Sequence, residues 1–240
     1  MKKEDIDKAK SLIEKAQKIA VVSHFNPDGD AIGSTLALYN FMENEGKTIN
    51  AVFPTRQPEF LDWMPGVEDA IIETERPAEA KAVIEEADLI FVVDMNAAHR
   101  AGKSLEPTIK NAKGRKILID HHVSPELDCD VMYSSIETTS ASELVYHFLY
   151  DHLNYGEDKL SLAIAQCLYI GTGSLTYSCN YPETYAVIEK LIRRGVDGED
   201  LHRKVYDNYS ENRMRLLGLL LSQRMKVISE RSTSIIILWL

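Results

Sequence analysis

Residues 19–45 read IAVVSHFNPDGDAIGSTLALYNFMENE, and the fold is decided by how this stretch divides. Ile19 to Ser23 is a short β-branched run without alternation, as expected for a strand covered on both faces. The loop HFNPDGD supplies Asn, Pro, Asp and Gly in the order of a tight turn. From Ala31 to Glu45 the apolar residues return at helical spacing through Leu36, Leu38, Phe41 and Met42. The order strand, acidic loop, helix is the first part of a βαβ unit.

Working outward, Ile6, Ala9, Ile13, Ala16 and Ile19 form the stripe of an amphipathic helix before the strand. Downstream the unit repeats. Thr48 to Phe53 reads as a strand, Pro77 to Ala87 as a helix, and Asp88 to Asp94 (DLIFVVD) and Lys116 to Asp120 as buried strands. Alternating βα units predict an α/β fold with a mainly parallel sheet flanked by helices, followed by a partial second α/β domain. Helices are then expected at Ser140 to Leu153, Lys159 to Ile170, Pro182 to Arg194 and about Ser210 to Val227. The stretch RGVDGED from Arg194 to Asp200 is the best boundary. The chain stops on SIIILWL, Ser234 to Leu240, an apolar strand-like run, so the second domain is expected to be cut short.

The 240 residues suffice for one substantial core and a smaller appendage. Apolar residues make up 45% and charged residues 27%, which excludes a disordered or fibrous chain. The sequence has neither a membrane-length apolar run nor an apolar signal core at its amino end, so a cytoplasmic protein with no membrane partner is expected. Cys129, Cys167 and Cys179 include no CxxC pair and read as reduced structural thiols. The net charge of −10 denies the chain a broad basic surface, so any nucleic acid it handles is short and not a long duplex.

Three βα units place acids or imidazoles at the carboxyl end of a strand: His24, Asp28 and Asp30 after the first, Asp94 at the end of DLIFVVD, and Asp120, His121 and His122 at the end of KILID. In an open α/β sheet these ends share one edge, where ligands bind. So many carboxylates in one cleft repel each other unless a cation neutralises them. Carboxylate oxygen with a minority of imidazole and no thiolate suits Mn²⁺, with Mg²⁺, Co²⁺ or Fe²⁺ behind it. The donors are too many for one ion, and two ions sharing a carboxylate are the usual apparatus for attack on phosphorus. Taken singly, NPDGD is a good turn, Asp30 a plausible helix cap and Asp94 an ordinary strand end. Adjacent imidazoles beside an acid serve no packing need, and the joint pattern points to a site.

VVSHFNPDGDAIGS (Val21 to Ser34), VVDMN (Val92 to Asn96) and IDHH (Ile119 to His122), in this order, resemble the first three motifs of the DHH phosphoesterases, in the branch of bacterial oligoribonucleases (nanoRNases) and 3′-phosphoadenosine-5′-phosphate phosphatases. The resemblance runs from about Lys8 to Tyr209. It implies a DHH catalytic domain over residues 1–195, then a linker helix and the truncated start of a substrate-binding domain over 196–240. It also implies an enzyme that hydrolyses short oligoribonucleotides or small nucleotides with two Mn²⁺ ions, Mg²⁺ or Co²⁺ being substitutes; a homodimer stays open. By that likeness His24, Asp28 and Asp94 hold one ion and Asp30, Asp94 and His121 the other. His122 contacts the scissile phosphate or acts as general acid, and Asp120 orients the histidines. Arg100 is a candidate phosphate clamp and Ser34, with the amides of Gly33 and Ser34, a candidate substrate contact, although each has an ordinary solvated or helical reading. TSASE, Thr139 to Glu143, reads as a helix cap with a capping-box acid. His99, His147, His152 and His202 read as surface or packing residues.

The sequence departs from the family at two places. A fourth motif has an Asp immediately before a Thr-Gly pair, but residues 168–178 read LYIGTGSLTYS, with Gly171 in that position and about four residues fewer before strand-like LTYS. The family's second domain carries a GGGH-type motif, which has no match here. Either the chain lacks these parts or they are missing from the sequence as read, and the second is the expectation, because active-site loops and mobile lobes are most prone to disorder. Other functions stay open: a cyclic or linear dinucleotide phosphodiesterase, an inorganic pyrophosphatase, or a non-catalytic nucleotide-binding protein with an incomplete metal site. A haloacid-dehalogenase-like phosphatase would need an Asp where His24 stands.

Overall fold

Residues 1–175, 180–230 and 233–237 are described by the structure, a computed structural model. The chain divides into two compact units, Met1–Leu201 and His202–Leu240.

The first unit holds a six-stranded, wholly parallel sheet of β1 (Lys18–Val22), β2 (Thr48–Phe53), β3 (Ile71–Ile72), β4 (Leu89–Val93), β5 (Arg115–Asp120) and β6 (Val131–Ser134). The strand order is β3-β2-β1-β4-β5-β6. The order reverses between β1 and β4, and a crevice opens at such a switch point beyond the carboxyl ends of the strands. Helices α1 (Lys3–Lys15), α2 (Gly29–Asn44), α3 (Pro77–Glu86), α4 (Glu106–Asn111), α5 (Ala141–Tyr146), α6 (Leu162–Gly171) and α7 (Pro182–Arg193) belong to this unit, and α8 (Gly198–Tyr206) runs across its boundary.

Strand residues alternate between two apolar layers. Ala20, Val22, Ile90, Val92 and Leu118 join Ala80 and Ile84 of α3 and Ile109 of α4 in one core. On the other face Phe91 meets Phe148, ring centroids 6.2 Å apart, in the π-helical turn His147–His152 that continues α5. Burial on both faces accounts for β4 being apolar throughout, with all five residues buried. α2 is buried on most of its circumference because it is clasped by α5 and α6 as well as the sheet. Its crossing with α6 is close. A Cβ on Gly33 would lie 2.5 Å from the Cys167 carbonyl oxygen and 2.9 Å from the Gly171 nitrogen, so only glycine permits this approach.

In the second unit α9 (Glu211–Leu219) and a π-helical turn, Leu220–Arg224, lead into the antiparallel pair β7 (Lys226–Glu230) and β8 (Thr233–Ile237). The helix expected as far as Val227 therefore ends at Arg224. Lys226 and Val227 instead begin β7, in which Val227 and Ile228 stand opposite Ile236 and Ile235 in register, and β-branched residues favour strands. The strand-like reading of SIIILWL holds for Ser234–Ile237, while Trp239 lies outside the described residues. β3 and β6 were not expected from the sequence. Of LTYS, Leu175 sits in a 3₁₀ turn, Gly173–Leu175, and the remainder lies outside the described residues, as does Cys179.

Candidate metal centre

His24 follows β1 by two residues and is held by a local bond. Its Nδ1–H donates to the Phe25 carbonyl at 2.9 Å. A carbonyl can only accept, so neutral His24 carries its proton on Nδ1 and keeps the Nε2 lone pair for a ligand. Nε2 lies 3.4 Å from Asp94 Oδ2 and 3.9 Å from Asp28 Oδ1. Asp28 is the N-cap of α2, its Oδ1 accepting from the Asp30 and Ala31 amides at 2.9 and 3.1 Å, with Oδ2 left outside these bonds.

Asp94 directly follows β4 in the left-handed region, φ 54°, which is sparsely populated by residues other than glycine. The turn brings its buried carboxylate between the motif loops of β1 and β5. Oδ1 accepts no hydrogen bond although it is fully buried. It lies 3.3 Å from His121 Nε2 and 3.7 Å from His122 Nδ1. His122 is fixed from below, its Nδ1–H donating to Oδ1 of fully buried Asp120 at 2.8 Å and its amide donating to Asp120 Oδ2 at 3.1 Å.

Asp30 sits across the cluster, with Oδ2 3.6 Å from His121 Nε2. Both its oxygens are gripped by the start of α5: the Ala141 amide donates to Oδ2 at 2.8 Å and the Ser142 amide to Oδ1 at 2.9 Å. The TSASE segment thus does more than cap a helix. Ser140 accepts from the Glu143 amide, as expected, while the buried Glu143 carboxylate takes the Thr139 amide and the hydroxyls of Thr139 and Thr184. That network fixes the loop whose amides hold Asp30. With these neighbours the Glu143 carboxyl falls to about 2: burial alone would raise it, but His147 and the threonine donors outweigh burial.

The electrostatics of the cluster call for positive charge. Burial, then the nearby Asp94 carboxylate, push Asp30 well above its ordinary range. Burial also works against an ionised Asp94, yet His121 and His24 hold it below its usual value. Those imidazoles are raised in turn, the Asp94 carboxylate outweighing their own burial. Two sets of donor atoms lie close enough to chelate, His24 with Asp28 and Asp94, and Asp94 with His121 and His122. A buried carboxylate shared by two carboxylate-imidazole groups, with one of its oxygens orphaned, is what divalent ions would satisfy, so the residues fit a metal centre.

Of the candidate site residues, His24, Asp28, Asp30, Asp94, Asp120, His121 and His122 meet at this edge. The donor atoms of His24, Asp28 and Asp94 lie together. In the second set, His122 lies with Asp94 and His121, and Asp30 stands one step back on the α5 amides. Arg100, in the 3₁₀ turn Ala98–Ala101, is tied to the same edge by its carbonyl, which accepts from the Phe25 amide at 2.7 Å. Ser34 does not reach it. Its hydroxyl is fully buried and donates to the Asp30 and Ala31 carbonyls, so the expected substrate contact is corrected to an intrahelical one. Gly33 is likewise spent on the crossing with α6. At Gly171, the position of the family's fourth-motif acid, α6 runs on and the Thr172 amide donates to the Leu168 carbonyl at 3.2 Å. A Cβ there would collide with Ser142 and lie 3.2 Å from Asp30 Oδ1. The position borders the cluster but has no room for a side chain.

His147 lies between Glu143 and Asp151, and His152 packs edge-on against Tyr133 at 5.0 Å. The sequence reading missed the grip of α5 on Asp30, because a cap motif reads the same whichever carboxylate it meets.

Residues 18–172 match the model of the DHH family, N-terminal domain. The cyclic-di-AMP phosphodiesterase GdpP of Geobacillus thermodenitrificans is 25% identical over 211 residues, 78% of this chain and 31% of that protein. The Streptococcus mutans protein named probable bifunctional oligoribonuclease and PAP phosphatase NrnA is 26% identical over 197 residues, 78% of this chain and 56% of that protein. The chain thus spans about a third and about half of these curated relatives. The crystal structure of an exopolyphosphatase-related protein from Bacteroides fragilis superposes with a TM-score of 0.89 at 40% identity, covering 95% of this chain and 67% of that one.

Proposed function

The chain belongs to the DHH family, and on that premise we propose that it is a Mn²⁺-dependent phosphoesterase acting in the cytoplasm on short oligoribonucleotides, on 3′-phosphoadenosine-5′-phosphate, or on both. The observation that carries this reading is the buried Asp94 carboxylate, shared by two groups of donors with one oxygen unsatisfied. When bound there, divalent ions supply water ionised near neutral pH and neutralise phosphoryl oxygens. The chain's own residues do the rest. His24, Asp28 and Asp94 would hold one ion, and Asp94 with His121 the other, with Asp30 completing it. Asp120 fixes the His122 tautomer, so that Nε2 of the protonated ring can donate to the leaving oxygen. Arg100 would hold a non-bridging phosphate oxygen. Among the described residues no helix is long and apolar enough to cross a membrane.

A panel of the linear dinucleotide pApA, 3′-phosphoadenosine-5′-phosphate, cyclic di-AMP and pyrophosphate, each with Mn²⁺, tests the proposal. Hydrolysis of either of the first two, lost in Asp94→Asn, is expected. Turnover of cyclic di-AMP alone would favour the second reading, a cyclic-dinucleotide phosphodiesterase, to which the Geobacillus relative lends weight. Tight nucleotide binding without turnover in any divalent metal would overturn both in favour of a binding protein.

A further inference from the structure

Phe25 is an anomaly on this edge. The chain has six phenylalanines, four of which (Phe41, Phe53, Phe91 and Phe148) are fully buried, whereas Phe25 is 46% exposed one residue after the metal-ligand candidate His24. Its backbone is nonetheless fixed from both sides. Its amide donates to the Arg100 carbonyl and its own carbonyl accepts from His24 Nδ1–H. Asn26 follows in the left-handed region, φ 53°, with its amide donating to Thr55 Oγ1 at 2.9 Å. The ring leans on Gly102, where an added Cβ would lie 3.0 Å from Phe25 Cδ2. Gly102, at φ 89°, closes the turn that carries Arg100.

Arg100 is the second anomaly. Acidic residues outnumber basic ones 37 to 27, yet this half-buried guanidinium has no ion pair, side-chain hydrogen bond or ring contact among the described residues, whereas Arg56, Arg76, Arg115, Arg193 and Arg215 are ion-paired, Arg194 donates to the Asp158 carbonyl and Arg213 lies over the Tyr209 ring. An unpaired guanidinium suits a phosphate, and an exposed aromatic ring on a rigid backbone suits a base, because stacking there orders little that was free. We propose that Phe25 is the base-stacking platform of the site, receiving a nucleobase of the substrate whose phosphate Arg100 holds at the metal centre. The inference rests on the nucleotide reading above and adds its selectivity: the chain would distinguish a nucleotide from a phosphate ester without a base.

The test uses the full chain with Mn²⁺ and compares KM for pApA with KM for the same phosphodiester lacking both bases. In the wild type the base-free ester should show a KM higher by about 5- to 150-fold, the range of one stacked base. That ratio should fall toward unity in Phe25→Ala and Phe25→Leu, the latter keeping the bulk without the π face, and stay within about threefold of wild type in Phe25→Tyr. Arg100→Ala should raise both KM values together and leave the ratio in place. With 2-aminopurine in place of adenine, fluorescence should be quenched on binding to the wild type and not to Phe25→Leu. A wild-type ratio near unity, or a ratio and quench indifferent to Phe25→Leu, would overturn the platform while the phosphoesterase assignment stands; in that case another protein surface covers the ring. Failure of the wild type to hydrolyse pApA, 3′-phosphoadenosine-5′-phosphate or cyclic di-AMP would remove the nucleotide reading itself and the platform with it.

Discussion

Asp94 concentrates the chemistry of this protein in one residue. Asn tolerates the left-handed region almost as well as Asp, so Asp94→Asn removes charge while keeping the turn. Metal content by elemental analysis should drop and Mn²⁺-dependent turnover fall by about a thousandfold or more, the several kcal/mol a metal supplies to a transition state. Retained metal and turnover would refute the centre. Asp120→Asn acts one step removed, through the His122 tautomer, and a loss of about 10- to 100-fold with metal content preserved is expected. The ligand candidates were legible in the sequence because acids and imidazoles at three strand ends have few other reasons to be there. Ser34 was misread because a helical serine near a turn looks identical whether its hydroxyl faces a ligand or the carbonyl four residues back. Phe25 gave no signal, since exposure is invisible in a single phenylalanine.

At the scale of elements, the α5 segment has a measurable pH signature. Its Glu143 carboxyl is depressed to about 2, against about 4.5 when unfolded, so its contribution of roughly 2–3 kcal/mol is complete above pH 4.5 and is lost as pH falls toward 2. His147 is raised, so its share is complete below its ordinary value of 6.5 and fades as pH rises past the folded one. Urea unfolding across pH 2–9 should show the acid slope, and Glu143→Gln should flatten it; an unchanged slope would place the acid sensitivity elsewhere. The α2–α6 crossing makes a separate prediction. Gly33→Ala drives a methyl against the Cys167 carbonyl, a backbone atom with little freedom, and should destabilise by about 1–3 kcal/mol in the same assay. Strong periodicity made the long buried elements readable, whereas β3, with two residues, and β6, with VMYS, are too short to carry a period. The helix expected through Val227 failed because apolar residues at helical spacing served a strand partner that only tertiary pairing supplies.

For the whole molecule, the decisive feature is that the strand order turns around between β1 and β4, so that candidate ligands from residues 24 to 122, and amides as far as 142, converge on one edge. The parallel order followed from the βα alternation in the sequence, but the neighbour relations of the strands did not. Adding a chelator to the Mn²⁺-loaded protein should lower the thermal midpoint, since an ion at a hundred times its Kd stabilises the folded state by about 2.7 kcal/mol; a midpoint indifferent to both chelator and Mn²⁺ would count against the centre. Because no two neighbouring segments of the chain can bind an ion before β1, β4 and β5 have come together, Mn²⁺ arrives too late to guide folding. Stopped-flow traces should therefore show refolding proceeding at the same pace with or without it, while the escape from the native state slows, so that the ion lengthens the protein's lifetime without hastening its birth.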